Sequence, residues 1–149
     1  MTSIVIAEDE AIIRLDLREL LEEEGYVVVG EAGRGDLAVT LVRELNPDVV
    51  ILDVKMPGID GIEAARQITA EGICAILMLT AFSQREIVEQ ARDAGAMAYL
   101  VKPFQKADLV PAIELATSRY AETKALVADV GELQERLEAR KVLDRAKGL

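Results

Sequence analysis

Several short apolar runs in this chain end on side chains that can do chemistry together. Ile4–Ala7 runs into Glu8-Asp9, Val49–Leu52 into Asp53, Ala75–Leu79 into Thr80, and Ala98–Val101 into Lys102. Each has an ordinary reading when taken alone. A carboxylate after a strand forms turns or caps helices, and Asp9 suits the cap of the next helix. A lone lysine is usually a solvated charge, and single motif matches mislead often. Brought to one sheet edge, however, the acids pose an electrostatic problem. Two carboxylates ~4 Å apart repel by about 4 kcal/mol at an effective dielectric of about 20. Three crowded acids therefore raise their pKa values or hold a cation. Oxygen ligands without histidine or thiolate suit a hard ion such as Mg²⁺, which retains waters and favours phosphate. Asp53 is then the natural nucleophile, able to become an aspartyl phosphate when a metal screens its charge. Thr80 can donate its hydroxyl to one phosphoryl oxygen, and Lys102 can pair with another.

The elements that must position these residues follow from the hydrophobic pattern. The runs Ile4–Ala7, Val27–Val29, Val49–Leu52, Ala75–Leu79 and Ala98–Val101 have the length of buried parallel strands. Between the first two, Ile13, Leu17, Leu20 and Leu21 recur at helical spacing until Gly25. Further helices are predicted near Asp36–Leu45, Ile59–Ala70, Gln84–Ala94 and Ala107–Thr117, with Asn46-Pro47 and Gly95 as stops. Strands that alternate with helices make an α/β domain with right-handed crossovers and helices on both faces. Ligands gather at the carboxyl ends of the strands in such a sheet. The segment Met56-Pro57-Gly58-Ile59-Asp60-Gly61 bends the chain beside that edge. Pro103 permits a cis peptide that would aim the Lys102 ammonium inward.

Composition narrows the possibilities. The 149 residues carry 27 acidic and 17 basic side chains, one cysteine and no histidine. The missing histidine removes imidazole bases, His-based triads and His-ligated metals. Cys74 lies in an apolar run and reads as a buried, inert thiol of a reducing compartment. No apolar run approaches the ~18 residues of a membrane span. No basic start or cleavage site marks a signal peptide, so the expected location is cytoplasmic.

The net charge of −10 is unevenly placed. Residues 1–118 hold 10 basic and 21 acidic side chains, whereas residues 119–149 hold 7 and 6. Such asymmetry predicts two segments with different jobs. Beyond residue 118 the strand pattern stops. Tyr120, Val127, Val130, Leu133 and Leu137 form a roughly heptad-like stripe with a phase shift near Leu126. The stripe suits a helix packed on its own domain, or the seam of a dimer. The last ten residues are basic, and Val142, Leu143, Ala146 and Leu149 still keep helical spacing, as if a C-terminal module were interrupted.

Residues 3–118 resemble the receiver domain of two-component response regulators. The likeness is carried by Glu8-Asp9, the stretch Leu52-Asp53-Val54-Lys55-Met56-Pro57-Gly58 with Asp60-Gly61, Thr80-Ala81 and Lys102-Pro103-Phe104. It implies a flavodoxin-like (βα)5 doubly wound parallel sheet of strand order 2-1-3-4-5, here followed by a C-terminal helical extension. It also implies transient phosphorylation of Asp53 by a sensor histidine kinase, with Mg²⁺ held by Asp9, Asp53 and the backbone carbonyl of Lys55. Glu8 would assist through water; many members have Asp there, and the longer arm leaves room for that water. The absent histidine fits, because the phosphohistidine belongs to the partner. A switch is implied as well, in which Thr80 moves toward the phosphoryl group and Tyr99 turns inward. The surface of the fourth helix, fifth strand and fifth helix then changes partner, and a homodimer formed on phosphorylation is one outcome. Phe82 would shield the phosphoryl group.

The tail from Leu133 to Leu149 is similar to the linker and opening helix of an ANTAR-type module, a small RNA-binding domain of antitermination regulators. That likeness makes Arg140, Lys141, Arg145 and Lys147 the candidate RNA contacts. It divides the chain into a receiver at 1–118, a helical linker at 119–139 that could form a coiled coil, and an incomplete module at 140–149. The plainer reading of the basic end is a solvated helix terminus, where Lys and Arg favour the dipole.

The leading expectation is thus a phosphorylation-controlled regulator with an RNA-binding antitermination output, and no enzymatic role beyond its own phosphorylation and slow dephosphorylation. A stand-alone receiver acting through protein binding or dimerisation is the alternative. A haloacid-dehalogenase-type phosphatase needs a second acid two residues after its nucleophile, where this chain has Lys55. A nucleotide-binding domain needs a glycine-rich loop after the first strand, where Glu8-Asp9-Glu10 would repel phosphates.

Overall fold

The computed structural model describes residues 2–81 and 85–141, with side chains as far as Lys124 apart from that of Arg85. The apolar runs form strands β1 (Ser3–Ala7), β2 (Val27–Ala32), β3 (Val49–Asp53), β4 (Ala75–Thr80) and β5 (Ala98–Val101). Between and after them lie helices α1 (Ala11–Glu23), α2 (Gly35–Leu45), α3 (Gly61–Glu71), α4 (Arg85–Asp93) and α5 (Lys106–Lys141). All paired strands are parallel, in the order β2-β1-β3-β4-β5. This is the flavodoxin-like arrangement that the sequence implied.

Side chains alternate across each strand, so one run feeds two cores. Val5, Ala7, Val50, Leu52, Ile76 and Met78 face α2, α3 and α4. Ile4, Ile6, Val49, Ile51, Leu77 and Leu79 face α1 and α5. Every residue of β3 and β4 is buried, which explains why these strands read as continuous apolar runs. Cys74 lies in the first of these cores, and burial pushes its thiol up to about 12. Cys74 is thus buried, as its apolar run predicts.

The two largest departures from the predicted elements are in β2 and the last helix; α3 also starts at Gly61 rather than Ile59. Strand β2 runs through Gly30 to Ala32 instead of stopping at Val29. The side chains of Leu45 and Leu41 fill the space above Gly30, where an added Cβ would lie 2.9 Å from Leu45 Cδ1. Packing thus supplies what the glycine lacks. The last helix extends from Lys106 to Lys141 rather than Ala107 to Thr117, and runs unbroken through residues 118/119 and 139/140. The shift in charge and hydropathy there coincides with no end of the helix.

The near part of α5 packs on its own domain. The Tyr120 hydroxyl donates to the Gly72 carbonyl at 2.7 Å, and the Arg119 guanidinium donates to the Met97 carbonyl at 2.9 Å. Side chains of Val127, Val130, Leu133 and Leu137 lie outside the described residues, so the dimer-seam reading rests on sequence. Among the described residues, no helix is long and apolar enough to cross a membrane.

Candidate phosphoacceptor site

The strand ends bring the chemistry-bearing residues to one edge, as their spacing implied. Glu8 follows β1, Asp53 closes β3, Thr80 closes β4 and Lys102 follows β5. Asp53 is paired in register with Leu79, which places Thr80 one residue further along the neighbouring strand. The Lys102 amide donates to the Thr80 carbonyl at 2.8 Å, tying the ends of β4 and β5 together. The Lys102-Pro103 peptide is cis.

The Lys102 ammonium sits between the two buried acids. Its Nζ donates to Glu8 Oε2 at 2.9 Å and to Asp53 Oδ2 at 3.0 Å. Glu8, Asp53 and Thr80 are the buried polar side chains of the described residues, and Glu8 has no exposed surface at all. Asp9 by contrast stands at the open mouth. One carboxylate oxygen from each of Glu8, Asp9 and Asp53 lies within 4.8 Å of the other two. The site therefore answers its charge problem in both ways that electrostatics allows. It holds a cation, and it shifts a proton equilibrium. Burial, then the hydrogen-bonded proximity of Asp53, pushes the Glu8 carboxyl up to about 7, against the opposing pull of Lys102. Burial disfavours the Lys102 charge, yet the two carboxylates outweigh it and raise its pKa above the ordinary lysine value.

Asp9 is not the helix cap. Glu10 occupies that position and makes no side-chain cap bond, which frees the Asp9 carboxylate from the ordinary reading. Asp60 does take the capping role, accepting from the Glu63 amide at 2.8 Å. Its neighbour Gly61 meets the site directly. The Gly61 amide donates to the Val54 carbonyl at 2.8 Å, and a Cβ on Gly61 would lie 2.0 Å from the Asp53 carbonyl oxygen. Lys55, expected to offer its carbonyl, is in the loop between these residues with an exposed side chain. Tyr99 points outward, 49% exposed, and lines a groove of about 370 Å³ with Val88, Ala91, Leu115 and Arg119. Phe82 falls outside the described residues. So do the side chains of Arg140 and Lys141, and all of Arg145 and Lys147.

Residues 4–114 match the response regulator receiver domain. The chain belongs to the receiver family. Its relatives include the transcriptional regulatory protein PdtaR of Mycobacterium tuberculosis strain H37Rv, 62% identical over 146 residues, 98% of this chain and 71% of that protein. An alignment of that length necessarily includes most of the extension beyond the receiver. The chemotaxis protein CheY of Thermotoga maritima is 37% identical over 111 residues, 74% of this chain and 92% of its own. Among solved structures, the signal receiver domain of the response regulator NarL from Mycobacterium tuberculosis is 30% identical with a TM-score of 0.76. That likeness covers 78% of this chain and 96% of that one.

Two features of this receiver domain escape its sequence motifs. Arg14 bonds the Glu8 carbonyl at 2.7 Å, a contact to backbone that no residue type announces. Gly61 is legible as part of a turn, but its contact with Asp53 depends on how the loop folds back.

Proposed function

We propose that this chain is the phosphoacceptor of a two-component phosphorelay, phosphorylated on Asp53 by a sensor histidine kinase. The observation that carries this reading is the Lys102 ammonium 3.0 Å from the buried Asp53 carboxylate, with Glu8 and Asp9 beside it. A carboxylate oxygen of Asp53 attacks the phosphorus of the partner's phosphohistidine. The new P–O bond forms as the P–N bond breaks, and the imidazole leaves with the electron pair. Lys102, already paired with Asp53, would hold one phosphoryl oxygen, and the hydroxyl of Thr80 would donate to another. Tyr99 then exchanges its outward position for an inward one, which changes the groove between α4 and α5 and so the partner that face accepts. Dimerisation through that face on phosphorylation is part of the proposal.

The acids fit a Mg²⁺ ion, because their donors are oxygens only and converge within reach of one another. Asp9, Asp53 and the Lys55 carbonyl would hold it, with Glu8 behind. When bound, Mg²⁺ neutralises the negative charge of the carboxylates and of the incoming phosphoryl group. Glu8 gives this binding a pH dependence. Its folded pKa of about 7 lies above the ordinary 4.5, so the folded protein holds that proton more tightly than the unfolded chain. The stability that this proton contributes is full below pH 4.5 and is lost as pH rises through about 7. A cation needs the deprotonated carboxylate. Mg²⁺ affinity is therefore expected to fall up to about tenfold per pH unit below 7 and to level off above 8. Titration calorimetry from pH 5.5 to 8.5 checks this, and Glu8→Gln should flatten the profile.

The output we propose is RNA binding by an antitermination module that begins in the basic tail. The supports are the ANTAR-like tail residues and the likeness, extending into that tail, to a transcriptional regulatory protein. The protein's own chemistry is limited to accepting and slowly losing the phosphoryl group, and its location is cytoplasmic. The test uses a small phosphodonor with Mg²⁺. Wild type should be labelled and Asp53→Asn should not, and the RNA affinity of a chain carrying the complete module should change only where labelling occurs. Equal labelling of both proteins contradicts the reading.

A further inference from the structure

We propose that Arg14 is a positioning residue of the acid cluster, fixing the peptide between Glu8 and Asp9 so that Asp9 faces Asp53. The proposal rests on the reading of these acids as the Mg²⁺ site.

Glu8 is held at four atoms. Its amide donates to the Ala32 carbonyl at 2.9 Å, which continues the pairing of β1 with β2. Its Oε1 accepts from the Glu10 amide at 3.2 Å, and its Oε2 accepts from Lys102 at 2.9 Å. Those contacts fix the residue and its side chain. The fourth, from Arg14 Nη1 to the Glu8 carbonyl at 2.7 Å, fixes the plane of the peptide leading to Asp9. Asp9 is exposed and does not cap α1, so its direction follows from that backbone.

Arg14 is itself anchored. Its Nε lies 3.3 Å from Glu31 Oε1 on the neighbouring strand β2. Gly33 leaves room for the guanidinium, since a Cβ there would lie 3.3 Å from Nη1. Glu31 also pairs with Arg18. Removing Arg14 therefore leaves Glu31 with a cationic partner, and the expected loss of stability is small. The bonded carbonyl is what changes.

The direction of the effect separates positioning from simple charge. A guanidinium bonded to the Glu8 carbonyl brings positive charge to the edge of this site, so deleting its charge alone would, if anything, strengthen Mg²⁺ binding. Loss of positioning weakens it, and partners behind metal ligands typically set affinity by tenfold or more.

The experiment is a Mg²⁺ titration of the ¹⁵N-labelled protein without phosphodonor, following the amides of Asp9, Glu10 and Val54. Wild type, Arg14→Met and Arg14→Lys are compared, with urea unfolding midpoints measured on each. Arg14→Met should weaken Mg²⁺ binding about tenfold with its unfolding midpoint nearly unchanged. Arg14→Lys, which can still donate to the Glu8 carbonyl, should recover at least about threefold of that loss. Labelling of Arg14→Met should return to within about twofold of wild type at saturating Mg²⁺, because the defect lies in affinity. Unchanged or tighter binding in Arg14→Met overturns the proposal. So does a loss that tracks the unfolding midpoint, or one that lysine does not relieve. A wild-type protein whose amides ignore Mg²⁺ would overturn the site reading itself, and the proposal with it.

Discussion

Gly61→Ala is expected to lower folding stability by about 3–5 kcal/mol, a large effect for one methyl group. The added Cβ would lie 2.0 Å from the Asp53 carbonyl oxygen and 3.0 Å from Val54 Cα. Both neighbours are backbone, so no side chain can swing away. Relief requires α3 to retreat from the end of β3. That movement stretches the bond from the Gly61 amide to the Val54 carbonyl, and disturbs the Asp60 cap on the Glu63 amide. Each of these is worth about 1 kcal/mol, and overpacking adds about 1–3 more. The carboxylate of Asp53 should move with its backbone, so phosphodonor labelling should fall by at least tenfold in whatever protein stays folded. Urea unfolding and labelling rates check the two parts. A variant within 1 kcal/mol of wild type that labels normally would show that the loop is softer than the packing implies.

The second large effect is expected from Lys102→Met. This change keeps most of the side-chain volume and removes the ammonium from Glu8 and Asp53. Breaking a buried pair from one side typically costs about 3–5 kcal/mol, because the remaining charge is left without a partner. The loss should be greatest at pH 8 and smaller at pH 5. Lys102 lowers the Glu8 pKa; without it, Glu8 holds its proton to higher pH, and protonation relieves the repulsion. Mg²⁺ should bind this variant more tightly than wild type, since a competing cation has gone, and should restore much of the lost stability. Unfolding midpoints at both pH values, with and without Mg²⁺, measure this. Stability that is insensitive to Mg²⁺ would mean that the acids do not form one cation site.

These two residues also show what the sequence could and could not reveal. The ends of the central strands are legible because burial on both faces turns β3 and β4 into short apolar runs, and each run stops where polar chemistry begins. Val49–Leu52 before Asp53 and Ala75–Leu79 before Thr80 are of this kind. The meeting of Lys102 with Asp53 followed from strand order. Its equally short bond to Glu8 did not, because side-chain reach cannot be read from spacing. Arg14 was opaque for a related reason: its partner is a carbonyl, which every residue possesses. The end of the last helix was misplaced for another. Periodicity registers a buried stripe, and from Thr117 to Lys124 the described side chains are mostly exposed while the helix continues to Lys141. Tyr99 could be placed on β5, yet its outward direction depends on the packing of α4 and α5 around it.

The central claim is that Asp53 is the group modified, and that the acids around it make that chemistry possible. The most direct measurement is a peptide map by mass spectrometry. Protein treated with a small phosphodonor and trapped by borohydride reduction is digested, with and without Mg²⁺. We expect the reduced residue at position 53 in wild type with Mg²⁺, little without Mg²⁺, and none in Asp53→Asn. A phosphoryl group on another residue, or equal modification of Asp53 with no Mg²⁺ present, would contradict the account.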